Sequence, residues 1–161
     1  MLILGLDPGS VAVGYGLVKK EKGELKLLKS GLLKISSKDK GKRLLEIEKS
    51  LLQLIKNNKI DIIAMEKLFF MKNMKTALDV AQSRGVLTLI AAKHKISLLE
   101  FSPSEVKSSV TGYGLADKKA VAKMVAKFLK INIINKPDDE TDAIAIALTA
   151  INNINQYKGL K

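Results

Sequence analysis

Four carboxylates stand where a fold could bring acids together. Asp7 follows the apolar run Leu2-Ile3-Leu4-Gly5-Leu6, Glu66 follows Ile60-Asp61-Ile62-Ile63-Ala64-Met65, and Asp139 and Asp142 open a helix near the C-terminal end. Carboxylate oxygens are the natural ligands of hard cations such as Mg²⁺, and two such ions about 4 Å apart can clamp a phosphodiester for in-line attack by water. Taken singly, most of these acids have an ordinary reading. Asp7 before Pro8-Gly9 is a common turn residue. Asp139 and Asp142 share a helix face within a first turn that favours acids, and neighbouring Asp138 and Glu140 leave open which acid caps and which binds. Glu66 is less ordinary, because it ends an apolar strand at the carboxyl edge of the sheet, where ligands of open α/β sheets collect. One capping role does not call for acids at two strand ends and on one helix face, so the set points to a metal cage.

The rest of the chain suggests what such a cage would act on. Its 28 Lys and Arg against 16 Asp and Glu give a formal net charge of +12, which favours polyanionic partners. Only Arg43 and Arg84 are arginines, so bidentate readout of guanine is scarce and the excess charge speaks of phosphate rather than sequence. The absence of cysteine excludes disulfides, Cys-type zinc sites and thiol nucleophiles. The single histidine, His94, lies between two lysines in a helix and reads as packed or exposed rather than as a ligand. Leu2 to Leu6 is too short for a secretory signal and no apolar run approaches a membrane span, so a soluble cytoplasmic protein is expected.

Hydrophobic periodicity supplies the elements that must position the acids. Leu2 to Leu6 reads as a central strand buried on both faces, Val11 to Val18 as a second and Leu25 to Ile35 as a third, joined by a turn over Glu21 to Glu24. Leu44, Ile47, Leu51, Leu52 and Ile55 mark a long helix leading to the strand that ends on Glu66. A second long helix covers about residues 73 to 93, and Ile96 to Phe101 is a fifth strand. Ser102-Pro103-Ser104-Glu105 is a capping box with Pro at the first helical position, Thr111 to Gly114 is a mobile loop, and Asp117 caps a helix through Lys130. After Pro137 a last helix runs to about Asn153. The expected architecture is α/β, one domain over residues 1–161, with a five-stranded mixed sheet flanked by helices on both faces.

Several motifs in order carry a resemblance. Gly5-Leu6-Asp7-Pro8-Gly9-Ser10, Gly14-Tyr15-Gly16, Glu66 with Phe69, Lys72-Asn73, Ala77-Leu78, Gln82-Ser83-Arg84-Gly85-Val86 and Asp139-Glu140-Thr141-Asp142-Ala143 together resemble the RuvC family of Holliday junction resolvases. Each motif is weak alone; the set, covering nearly the whole chain, is specific. The resemblance implies a ribonuclease H-like fold and a homodimer. It also implies Mg²⁺-dependent paired nicking of four-way DNA junctions in recombination and repair, leaving 5′-phosphate and 3′-hydroxyl ends. Carried over by position, Asp7, Glu66, Asp139 and Asp142 are the catalytic and metal-binding acids. Two Mg²⁺ per site are implied, with Mn²⁺ as a substitute. The D-x-x-D pattern favours Asp139 over Asp138. Lys67 after the catalytic Glu, and Ser83 where Ala is frequent, depart from the family without removing a ligand.

The resemblance also assigns surfaces. It implies DNA contacts from Phe69, Lys72, Arg84, Lys107 and Lys118, with Phe69 rather than Phe70 as the exposed ring that stacks on an unpaired base. Lys119, Lys123, Lys127 and Lys130 recur along one helix opposite a stripe of Val121, Met124, Val125, Phe128 and Leu129. They read as a solvated face or, functionally, as a phosphate track. Ala77, Ala81 and Gly85 form a small-residue line that admits a close backbone, either the chain's own sheet or a partner helix; the resemblance favours a dimer interface. A branch-migration motor of the RuvA-RuvB type is a further expected partner. Three alternatives are weighed against this reading: a ribonuclease H-like nuclease acting on RNA, a fragment of an actin-like ATPase suggested by Asp7-Pro8-Gly9-Ser10, and a non-catalytic junction-binding protein of the same fold.

Overall fold

The computed structural model describes residues 1–9, 11–67, 74–133 and 135–154. Its centre is β1 (Leu2–Pro8), whose Ile3, Leu4 and Leu6 are fully buried on alternating faces. β2 (Val13–Glu21) pairs antiparallel with β1, and β3 (Glu24–Leu32) pairs antiparallel with β2. The hairpin between them turns on Lys22 and Gly23, at φ of 49° and 87°, the left-handed pair that matches the twist of the strands it joins. On the other side of β1, β4 (Ile62–Glu66) and β5 (Ser97–Phe101) run parallel to it, giving the mixed order β3-β2-β1-β4-β5.

Helices cover both faces, as the period-two pattern of the strands requires. Leu4, Leu6, Tyr15, Ile63 and Met65 point toward α1 (Lys40–Asn57) and α2 (Met74–Lys93). Ile3, Val18, Ala64, Leu99 and Phe101 point toward α3 (Pro103–Thr111), α4 (Lys118–Leu129) and α5 (Asp138–Asn153). Residues 3, 5 and 7 of β1 share a face, as do 62, 64 and 66 of β4. Asp7 and Glu66 therefore point to the α5 side by strand geometry alone.

α5 lies unusually close to the sheet. A Cβ on Gly5 would collide with the backbone at Ala143 and Ala147, and one on Gly14 would collide with the backbone of Asp139. These glycines let the first turns of α5 descend onto β1 and β2, which brings Asp139 and Asp142 over Asp7. The helix is buried almost all round, from Glu140 through Ile151, between the sheet and the α3–α4 layer.

Some boundaries differ from the sequence expectation. β2 starts at Val13, leaving Val11 79% exposed, because the chain turns sharply at Gly9, whose N–H bonds the Asp7 carbonyl at 3.0 Å. β3 ends at Leu32, although Leu33 still donates to the Val13 carbonyl and stays buried. Phe128 was expected in the buried stripe of α4 but is 39% exposed; Val121, Val125 and Leu129 carry that stripe. The capping box at Ser102 and the Asp117 cap form as expected. α5 is the informative exception: Pro137 occupies its N-cap with no side-chain cap bond, so none of its acids is used in capping. Among the described residues no helix is long and apolar enough to cross a membrane.

Candidate active site

Asp7, Glu66, Asp139 and Asp142 line one cleft of about 320 Å³, together with Pro103, Val106, Lys107, Lys118, Val121 and Ile146. Two acids come from adjacent parallel strand ends and two from the first turns of α5. Burial, reinforced by the charges of Asp142, Glu66 and Asp139 and opposed by Lys118, pushes Asp7 up to about 7. Glu66 is raised by burial and then by Asp142, against Lys118, Arg84 and Lys107. Asp142 is raised chiefly by burial, with Asp138 and Asp139 adding to it and Lys118 opposing. A cluster of carboxylates that hold protons above their ordinary range is short of positive charge.

Lys118 supplies part of it. Its Nζ lies 3.2 Å from Asp138 Oδ2 and 3.3 Å from Asp142 Oδ2, and although burial works against the ammonium, these acids hold its pKa above the ordinary lysine value. Among the described residues no three acidic or histidine side chains already stand in a ligating array. The donor set is nonetheless all hard oxygen and electrostatically unbalanced, which fits a divalent cation such as Mg²⁺.

The two neighbouring acids point in different directions. Asp138 is exposed and turned to Lys118. Glu140 is buried on the opposite side, paired with Lys136 and accepting from Ser30 Oγ at 2.6 Å, and so is outside the cleft. The signal for this pairing is present in the sequence as the i, i+4 spacing of Lys136 and Glu140.

The expected DNA contacts do not all lie together. Lys107 and Lys118 are at the cleft. Lys118, Lys119, Lys123, Lys130 and Lys136 line a trough of about 860 Å³ beside α4 that shares Lys118 and Asp142 with the cleft. Arg84 is elsewhere: its guanidinium is mostly buried, bonded to the Glu66 backbone carbonyl and paired with Glu100. Phe69 and Lys72 lie outside the described residues. His94 is exposed at the end of α2. Of the two departures, Lys67 pairs with Glu105 at 3.5 Å, and the Ser83 hydroxyl, buried where Ala is frequent, is satisfied by the Asp79 carbonyl at 3.0 Å.

On α2 the small-residue line does not face the sheet; Ser83, Leu87, Ile90 and Ala91 do. Ala77 and Ala81 are half-buried, and a Cβ on Gly85 would meet nothing within 4 Å, so no contact within the chain demands glycine there. Gly85 lies on an exposed stripe with Leu78, Gln82 and Leu89, where Leu78 and Leu89 are 58% and 53% exposed. The 4-3-4 spacing of that stripe is that of a helix-pairing seam.

Comparison with known proteins agrees over nearly the whole chain. The family model described as Crossover junction endodeoxyribonuclease RuvC matches residues 3–150. A relative with that description from Caldicellulosiruptor saccharolyticus is 41% identical, covering 94% of this chain and 92% of its own length. One from Ruminiclostridium cellulolyticum is 44% identical, covering 92% and 90%. The solved structure of T. thermophilus RuvC in complex with Holliday junction substrate superposes with a TM-score of 0.89 at 28% identity, covering 98% of this chain and 96% of that one.

Proposed function

The chain belongs to the RuvC family of crossover junction endodeoxyribonucleases, and we propose that its four-carboxylate cleft is where it hydrolyses DNA. It is a metal-dependent nuclease of ribonuclease H-like fold that resolves Holliday junctions, in recombination and repair. Neither an RNA-directed nuclease nor an ATPase fragment is favoured.

The convergence of Asp7, Glu66, Asp139 and Asp142 on one cleft carries the reading, because these acids come from three separate elements and none is used in capping. They would hold two Mg²⁺, or Mn²⁺ in its place. Bound there, the cations supply Lewis-acid charge that readies water for attack on the phosphodiester and offsets charge on the departing 3′ oxygen. Lys107 and Lys118, on the cleft wall, add positive charge to the phosphate as negative charge builds on it. The trough lysines Lys119 and Lys123 neutralise the backbone leading away from the cut without reading sequence. Phe69 and Lys72 are further proposed contacts, with Phe69 stacking on an unpaired base.

The nuclease domain spans the chain and acts as a homodimer through α2, by the line Ala77, Ala81 and Gly85 and the exposed stripe of Leu78, Gln82 and Leu89 beside it, since a two-fold dimer presents equal sites to opposed strands of a two-fold junction. Its proposed setting is the cytoplasm, alongside a branch-migration motor of the RuvA-RuvB type. The test is a nicking assay on a four-way junction, a linear duplex and an RNA duplex, with and without Mg²⁺ or Mn²⁺. Paired symmetric nicks with 5′-phosphate ends, on the junction alone and only with metal, are expected. Metal-independent cutting, or preference for RNA, would sink the reading.

A further inference from the structure

Arg84 is one of two arginines in a strongly basic chain, yet its side chain is only 12% exposed. From α2, Nη1 donates to the backbone carbonyl oxygen of Glu66, and Nη2 pairs with the carboxylate of Glu100. Glu66 is the last residue of β4, and Glu100 sits on β5 in register with Met65, one residue before it. A single planar fork thus ties α2, β4 and β5 together at the end of the sheet where the cleft opens. β4 ends at Glu66, and one bond follows it at Lys67, whose N–H donates to the Phe101 carbonyl at 2.7 Å. The Glu66 carbonyl is therefore near the end of the ladder, where a strand frays unless something outside it holds the peptide plane.

We propose that Arg84 is a positioning residue: its guanidinium clamps the Glu66 peptide carbonyl, Glu100 orients the guanidinium, and the Glu66 carboxylate is thereby aimed at the divalent cation. The proposal rests on the reading of Glu66 as a metal ligand. It assigns Arg84 to the support of the ligand rather than to DNA phosphate, because both terminal nitrogens are engaged within the chain and the side chain is only 12% exposed, which leaves little of the guanidinium for a polyanion. A planar fork fixes the directions of both bonds together, which a lysine ammonium does not, so lysine is a partial replacement. The same helix carries the exposed stripe of Gly85 and its neighbours, so the clamp also sets the reactive carboxylate relative to the proposed partner subunit.

The experiment measures Mn²⁺ binding to the full-length, DNA-free protein by titration calorimetry for Arg84→Gln, Arg84→Lys, Glu100→Gln and the control Glu66→Gln. Junction binding is measured in parallel in metal chelator. Removing a partner that orients a ligand typically weakens metal binding by about 10–100-fold, so Arg84→Gln is expected to lose about tenfold or more, with Arg84→Lys and Glu100→Gln between it and wild type. Metal-free junction affinity and its salt slope should stay unchanged. Wild-type Mn²⁺ affinity in Arg84→Gln overturns the proposal. So does an unchanged Mn²⁺ affinity accompanied by a salt slope lower by about one, the signature of a lost phosphate contact. If Glu66→Gln binds Mn²⁺ normally, the ligand reading fails and takes the proposal with it; if only Arg84→Gln binds normally, the proposal alone fails. Should Arg84→Gln not fold by circular dichroism, Arg84→Lys and Glu100→Gln decide, and normal Mn²⁺ affinity in both overturns it.

Discussion

Two lysine–carboxylate groupings sit on the first turn of α5 and use the same residue types to different ends. Lys136, Glu140 and Ser30 form a closed set: the Glu140 side chain is 9% exposed, and it takes both the ammonium and the hydroxyl. Lys118, Asp138 and Asp142 form an open one, with the lysine 66% and Asp138 78% exposed and with oxygens left over on both acids. In the closed set all three partners are spent on one another, and they join β3 to α5. In the open set the lysine only partly balances the acids, and Asp142, which lines the cleft, remains available to a cation. Burial and completeness of pairing, rather than residue type, separate the fastening from the reactive group. Breaking a buried pair leaves an uncompensated charge, whereas exposed pairs are worth little.

The largest expected effect comes from the open side. Asp7→Asn, Glu66→Gln and Asp142→Asn each keep side-chain shape while losing the charge that holds metal. Each should lower junction cleavage by about 10³-fold or more, corresponding to several kcal/mol of lost electrostatic stabilisation, with junction binding retained. A nicking assay beside a gel-shift titration checks this, and near-normal cleavage by any variant removes that residue from the site. The closed side should behave oppositely. Glu140→Gln is expected to cost about 2–3 kcal/mol of stability in urea unfolding, somewhat under the usual cost of a broken buried pair because Lys136 is a quarter exposed. Its cleavage rate per folded molecule should be unchanged. A variant that unfolds normally but cannot cleave would move Glu140 into the cleft and erase the contrast.

What could be read from the sequence follows the same division. The apolar runs are enough to put Asp7 and Glu66 at two strand ends, and a period of two then fixes the face each takes; that the two strands are neighbours is set by the sheet order. The caps at Ser102 and Asp117 were legible for a similar reason: their chemistry is local. The four acids of α5 could not be sorted locally. Which of them faces the cleft depends on how deeply the helix settles over Gly5 and Gly14 and on where Ser30, on a distant strand, comes to lie. The misplaced start of β2 and the exposed Phe128 have the same origin, since apolar residues at Val11 and Phe128 fit a buried pattern that the tertiary contacts do not complete. Arg84 reads as a DNA contact only through the resemblance, and no local pattern announces Glu100 as its partner.

A smaller effect tests the charge imbalance itself. In metal-free protein the folded-state pKa of Asp7 is about 7 against an ordinary value of 3.8, and Glu66 and Asp142 are raised as well. Between about pH 4 and 7 the folded state then binds more protons than the unfolded state, so these groups make stability fall as pH rises through that window. Metal-free protein should melt at a higher temperature at pH 5 than at pH 8, and saturating Mg²⁺ should flatten or reverse the difference. Asp7→Asn should remove most of the slope. A metal-free melting temperature that climbs from pH 5 to pH 8 would mean the cleft is not short of positive charge.

The smallest effect separates Asp138 from its neighbours and is the finest test of the contrast. Asp138 holds Lys118 from solvent at 3.2 Å, while Asp142 holds the same ammonium from the cleft at 3.3 Å, so losing Asp138 leaves the lysine a partner. An exposed pair of this kind contributes about 0–1 kcal/mol, and Asp138→Asn should leave unfolding nearly unchanged. Its effect on cleavage should come only through a less well-held Lys118, a loss of less than about tenfold, with the Mg²⁺ midpoint unmoved. Asp139→Asn in the same series should raise the Mg²⁺ midpoint sharply, because Asp139 lines the cleft and Asp138 does not. If the two variants exchange behaviours, the third metal ligand is Asp138, and Lys118 is then a competitor for the metal's place rather than a group held ready beside it.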